Sequence, residues 1–130
     1  MSLARFASPQ VCRLLIQSPY PLVRERLILR NVLSIEELNP FVYDPSINVR
    51  STLAQYGTDS HRKQLAESKD TDTRLSVLPY ANSELIDTML ETETGAAVLV
   101  YIFKIAKTKQ QRKQAKQRLK TLHNVTITNN

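Results

Sequence analysis

The 130-residue sequence predicts an all-α fold. Three observations predict it. The chain has two glycines, Gly57 and Gly95, whereas a barrel or sandwich needs many tight turns that want glycine. Helix-capping residues recur at short intervals. Between them the apolar residues are spaced three and four apart, not two. Hydrophobic residues make up 42%, enough to bury a core and too many for a disordered chain.

The elements follow in order. Ser8-Pro9 puts a capping residue before a proline at the first helical position, and Val11, Leu14 and Leu15 follow at helical spacing, predicting a helix over 9–17. Pro21 opens a second, over 21–31, with Leu22, Val23, Leu27, Ile28 and Leu29. Ser34 precedes Glu37 by three residues, a capping box for a helix over 35–42. Asp44-Pro45 is again a cap and a proline, for 45–56. Thr58-Asp59 opens 59–67, Asp70 or Thr71 opens 71–81, and Asn82 or Ser83 opens 83–92. Pro79 should kink or end the helix that contains it. Thr94 caps the last and longest, over 95–122, because Lys104 to Lys120 lacks Gly and Pro and is rich in good helix formers.

Three segments align with one another. Val23-Arg24 is followed by Leu27-Ile28, Val49-Arg50 by Leu53-Ala54, and Thr73-Arg74 by Val77-Leu78, with the arginines 26 and 24 residues apart. Each is followed by a capping residue and a second helix. A period of this size with two helices per unit is the signature of an α-solenoid. On these residues, 21–92 resembles the HEAT-like families, including the leucine-rich-repeat variant, whose units read Asp, a few residues, Val-Arg, then an apolar helix. Asp44 with Val49-Arg50 fits that pattern, Asp70 with Thr73-Arg74 fits it with threonine for valine, and Pro21 replaces the acid of the first unit. The resemblance implies a short solenoid of about three helix pairs in a single domain, 1–122. Residues 1–20 would cap its start, 93–122 would form a long basic C-terminal helix, and 123–130 a flexible tail. It also implies a ladder in which acids and arginines of neighbouring units pair. Asp44, Arg50, Asp70 and Arg74 are its candidate members, Asp72 is a further acid, and Arg24 belongs either to the ladder or to a surface patch.

Charge is unevenly distributed. The formal net charge is +6, from 18 Lys+Arg against 12 Asp+Glu. Eight of the basic residues lie in 104–120, without an acid among them: Lys104, Lys107, Lys109, Arg112, Lys113, Lys116, Arg118 and Lys120. The remaining ten basic and twelve acidic residues leave a body near −2. A mildly acidic body with a basic arm has the charge pattern of a chain that docks by electrostatics. The most apolar run, Ala96 to Phe103, is eight residues against the ~20 needed to span a bilayer.

Sites for chemistry are sparse. One cysteine, Cys12, excludes an internal disulfide and a Cys-based zinc cluster, and it falls on an apolar helix face. His61 and His123 have no second ligand at metal-binding spacing. Glycines too far apart exclude a dinucleotide fingerprint or a P-loop. No cofactor and no metal are expected. The expected function is therefore a non-enzymatic binding module, adaptor or inhibitor that docks an acidic protein surface through the basic helix and the repeat face. The alternative is a nucleic-acid-binding accessory protein contacting phosphates through Lys104 to Lys120. A third class, a HEAT-like DNA glycosylase, lacks support in a chain without tryptophan and with few repeats. A lone thiol suits a reducing cytoplasm, with mitochondrial import the alternative for an acid-free start carrying Arg5, Arg13 and Arg24.

Overall fold

The computed structural model describes residues 8–128. Among them nine α-helices and three short 3-10 turns form, and no strand. The chain divides into two compact units, with the boundary between Glu67 and Ser68.

The first unit holds α1 (Pro9–Leu14), α2 (Pro21–Arg30), α3 (Ile35–Leu38), α4 (Ile47–Tyr56) and α5 (Asp59–Ala66). Its helices start where the caps stand. Ser8 Oγ accepts the Val11 N–H at 3.3 Å. Ser34 and Glu37 exchange both bonds of a capping box. The expected helix over 35–42 tightens into a 3-10 turn, Asn39–Tyr43, because Pro40 brings no N–H to an α-helical ladder. The helix expected from Pro45 starts two residues later. Asp44 is buried and engaged with Arg24, so Ser46 becomes the residue before α4. Asn31 ends α2 in the left-handed conformation, φ 57°.

Gly57 ends α4, and its lack of a side chain is required there. A Cβ would lie 2.5 Å from the Leu53 carbonyl oxygen and 3.0 Å from His61 Nδ1. Arg62 closes the same helix end, donating from Nε to the Ala54 carbonyl at 2.7 Å and from Nη2 to those of Gln55 and Gly57 at 3.1 Å. These are the orphan acceptors that any helix C-terminus leaves. The core of this unit is Cys12, Leu27, Ile28, Phe41, Val42, Val49, Leu53, Ala54 and Leu65.

The second unit holds α6 (Thr71–Val77), α7 (Ser83–Thr92), α8 (Ala96–Ile105) and α9 (Lys109–His123). Pro79 does end its helix: α6 passes at Val77 into a 3-10 turn, Leu78–Tyr80. Asp70 Oδ2 caps α6 through the Thr73 N–H, and Asn82 Oδ1 caps α7 through the Leu85 N–H.

The single helix expected over 95–122 is two helices. Propensity favoured continuity, and burial opposed it. A straight helix would carry the apolar run of 96–105 into water, whereas a turn at Ala106–Thr108 packs α9 back along α8. Val98, Leu99 and Ile102 are then fully buried, as are Ala115 and Leu119 on α9. At about 25 cal/mol per Å² of apolar surface, such burial outweighs the few tenths of a kcal/mol per residue that separate helix propensities. The turn is held by a third capping box: Gln111 N–H donates to Thr108 Oγ1 at 3.0 Å, and Gln111 Oε1 accepts from Lys107 and Thr108 N–H. The far end of α9 is also one residue beyond expectation. Asn124, φ 55°, is in the left-handed conformation, and the Asn124 and Val125 N–H groups cap the carbonyls of Lys120 and Leu119.

The break turns the expected closing helix into two successive helices, α8 and α9, packed on each other. Along the chain, successive two-helix segments, or pairs, begin at Pro21, Ile47, Thr71 and Ala96, and the second helix of each follows the capping residues Ser34, Thr58, Asn82 and Thr108. Two pairs lie in each unit. Leu27, Leu53 and Val77, each three residues after an aligned arginine, are all fully buried.

His61 sits inside this frame as a cap, not as a reactive group. Its Nδ1 accepts the Thr58 N–H at 3.0 Å, which leaves Nε2 to donate to Asn39 Oδ1 at 2.8 Å. Burial pushes its pKa below the ordinary value of 6.5, and the charge of Arg62 adds to this against a raising bond from the Ile35 backbone.

Two outcomes follow from this packing. Leu53→Ala should destabilise the fold by about 2–5 kcal/mol in urea titrations, as expected for a filled core site. Stability should also fall as pH drops below 6.5, because the unfolded chain protonates His61 before the folded chain does. His61→Gln should flatten that part of the pH–stability profile; an unchanged slope would rule His61 out as its source.

Candidate functional site

The aligned arginines are built into the structure. Arg24 donates from Nε to Asp44 Oδ2 at 2.7 Å and from Nη2 to Oδ1 at 3.0 Å. Arg74 does the same to Glu93, at 2.9 and 3.1 Å. In all three arginines Nη1 donates to the carbonyl six residues earlier: Arg24 to Ser18 at 2.7 Å, Arg50 to Asp44 at 2.5 Å, and Arg74 to Ser68 at 2.9 Å. Arg24 therefore belongs to this set and not to a surface patch. Its bidentate hydrogen bonding to Asp44 raises its pKa further above the usual arginine value, against the opposing effect of burial.

One acid, Glu93, lies outside the expected set. Asp44 gives its carboxylate to Arg24, and Arg50 takes its backbone carbonyl. Arg74 pairs with Glu93, not with Asp70 or Asp72. Asp70 caps α6, where Oδ2 also accepts from Thr73 Oγ1 at 2.7 Å. Glu93 ends α7 and is 5% exposed, so its carboxylate is a buried ion that must be paired. Its second oxygen also accepts the Gly95 N–H at 2.9 Å, as Asp44 Oδ1 accepts that of Ser46. Each acid thus fixes both an arginine and the start of the next helix. These groups are spoken for and present no free base or nucleophile. An open cleft of about 450 Å³ in the first unit, between Ile16, Pro40 and Tyr43, has the Arg24–Asp44 pair in its wall.

The basic segment separates into three kinds of position. Lys104 lies exposed on α8 and Lys107 exposed in the turn. Lys109, Arg112, Lys113, Lys116 and Lys120 fall within roughly 100° of arc on α9, at about 100° per residue. All are exposed except Lys116, which is half-buried. Arg118 points elsewhere. Its Nε and Nη2 donate to the Glu93 carbonyl at 3.0 and 2.6 Å, so it is a brace and not a member of the surface set.

The orientation of this stripe is fixed by the other sides of α9. Gln111 is buried, and its Nε2 reaches the Ser83 carbonyl, Ser83 Oγ and Asp87 Oδ1 at 2.8–3.0 Å. Gln111 and Arg118 therefore hold one side of α9 against α7, and Ala115 and Leu119 face the core. The stripe occupies the side turned away from α7. His123 Nε2 donates to the Thr94 carbonyl at 2.5 Å, tying down the C-terminal turn. Arg112 lies over the Phe103 ring, 5.8 Å from its centroid.

Sequence reasoning missed Thr108, Gln111 and Glu93. The Thr108-to-Gln111 spacing is a capping box and was visible. That Glu93 would serve Arg74 was not visible, since Glu93 closes a helix on which its neighbour Glu91 is exposed. Among the described residues no group of three or more His, Cys, Asp or Glu side chains is arranged to hold a metal ion. None of the described helices is long and apolar enough to cross a membrane. Comparison with protein-family models, curated proteins and solved structures finds no match.

Arg74→Ala should destabilise by about 3–5 kcal/mol, since it leaves the buried Glu93 carboxylate without its counter-charge. Arg13→Ala, which breaks only the exposed contact with Glu37, should cost less than about 1 kcal/mol. Equal losses in paired thermal melts would show that the Arg74 pair is not acting as a buried ion pair.

Proposed function

We propose that this chain is a non-enzymatic binding module of HEAT-like repeat type that docks an acidic protein surface through α9. One observation carries the reading. Lys109, Arg112, Lys113 and Lys120 lie exposed along one side of a helix that contains no acid. Nothing on α9 neutralises them, so their field extends outward over a Debye length of about 8 Å at physiological salt. The anchoring of Gln111, Arg118 and His123 supports the reading further, because a helix held in place presents its charges at fixed spacing. Preorganised charge speeds encounter and sets orientation.

The titratable residues elsewhere support a binding role over a catalytic one. His61 and Asp70 serve as caps, and Cys12 is fully buried. A nucleic-acid partner is the second reading, supported by Gln110, Gln114 and Gln117 between the charges, which could hydrogen-bond to phosphates. Residence in the cytoplasm goes with either reading.

The test replaces Lys109, Arg112, Lys113 and Lys120 by Gln, which keeps helix propensity close to the original. Arg118 is left in place, since its loss would disturb the brace on Glu93. Partner recovery from the native host should be abolished in the variant while its thermal melt is unchanged, and recovery by the parent should survive nuclease. A nuclease-sensitive partner whose log affinity falls with log salt, with a slope reduced by about 0.7–0.9 per contact removed, would establish the nucleic-acid reading instead. Undiminished recovery by the variant would leave α9 as a solubilising face only.

A further inference from the structure

We infer that the partner element recognised beside α9 is an acidic amphipathic helix; this rests on the reading of α9 as the docking element. The argument comes from what lies next to the stripe. On α8, Val98, Leu99 and Ile102 are fully buried, whereas Ala96, Val100 and Phe103 are half-buried on an adjoining side. These three are spaced i, i+4, i+7, so they form one apolar strip along the helix. Arg112 of α9 lies over Phe103, which places the basic stripe beside the apolar strip.

The pairing of an apolar strip with a rim of one charge is the pattern by which grooves take amphipathic helices. The strip spans about 10 Å and the stripe about 16 Å at 1.5 Å per residue, which suits a partner helix of two to three turns. Charge complementarity selects acids on that helix. The same surroundings disfavour nucleic acid. Sequence-tolerant binding of single strands wants exposed aromatic faces, and the aromatic ring here already lies beneath a guanidinium. A duplex backbone would use the cations and leave the apolar strip unused.

The test uses three probes on the intact chain: a synthetic helical peptide of about three turns with leucines on one face and glutamates on the other, a shuffled peptide of the same composition without that face, and a short DNA duplex. The amphipathic peptide should bind at least about tenfold tighter than the shuffled one, a difference of roughly 1.4 kcal/mol. Val100→Ser should remove that preference while leaving the weaker binding of the shuffled peptide unchanged. If this variant does not fold, as judged by its thermal melt, the comparison of peptides on the parent chain decides alone. Equal binding of both peptides, lost from both in the four-site Gln variant, overturns the helix inference and leaves charge docking standing. Tighter binding of the duplex than of the amphipathic peptide overturns the inference in favour of nucleic acid. Failure of all three probes, or peptide binding unchanged in the four-site variant, overturns the docking role of α9 itself.

Discussion

Arg24, Arg50 and Arg74 each send Nη1 to the carbonyl six residues before it, and that bond ties down the segment leading into α2, α4 and α6. A carbonyl at that place stands in the segment leading into a helix, where no intrahelical donor can reach it. The guanidinium supplies the missing donor. In Arg24 and Arg74 its other edge is occupied by a carboxylate, which in turn accepts the N–H two residues after itself. One planar group therefore fixes two loops at once. Arginine suits this task because its fork is rigid and its charge permanent; lysine could not make the bidentate contact. The local sequence works around this requirement. The late start of α4 after Asp44 is one example.

The fold was legible where the signal was local. Caps at Ser8, Ser34, Thr58, Asp70 and Asn82 stand before their helices, and Pro79 breaks the helix it was expected to break. The arginine register was legible because it repeats. Two things were not. The acid that serves Arg74 lies nineteen residues away, and nothing in the identity of Glu93 distinguishes it from its exposed neighbour Glu91. The break at Thr108 was hidden differently. The absence of Gly and Pro from 96–123 and the good helix formers after Lys104 argued for one helix, and tertiary burial of Gln111, Ala115 and Leu119 decided otherwise. In the candidate site, composition marked the basic segment but could not say that Arg118 turns inward.

The first turn of α9 runs against electrostatic preference. It contains no acid, and Lys109 stands at its positive end. Cations there cost about 0.3–1 kcal/mol each, and acids would have been the stabilising choice. The capping box of Thr108 and Gln111 and the buried amide contacts to α7 offset that cost. A local rule broken in one place and compensated by neighbours is the pattern of a surface kept for interaction, in keeping with the proposed role.

The same stripe has a consequence for the behaviour of many copies together. Two copies approaching through their α9 stripes would bring eight exposed cations together, counting Lys109, Arg112, Lys113 and Lys120 on each. Like charges at close range repel, and added salt weakens that repulsion. The stripe therefore opposes self-association through α9 in dilute buffer. Concentrated electrolyte would relax that opposition.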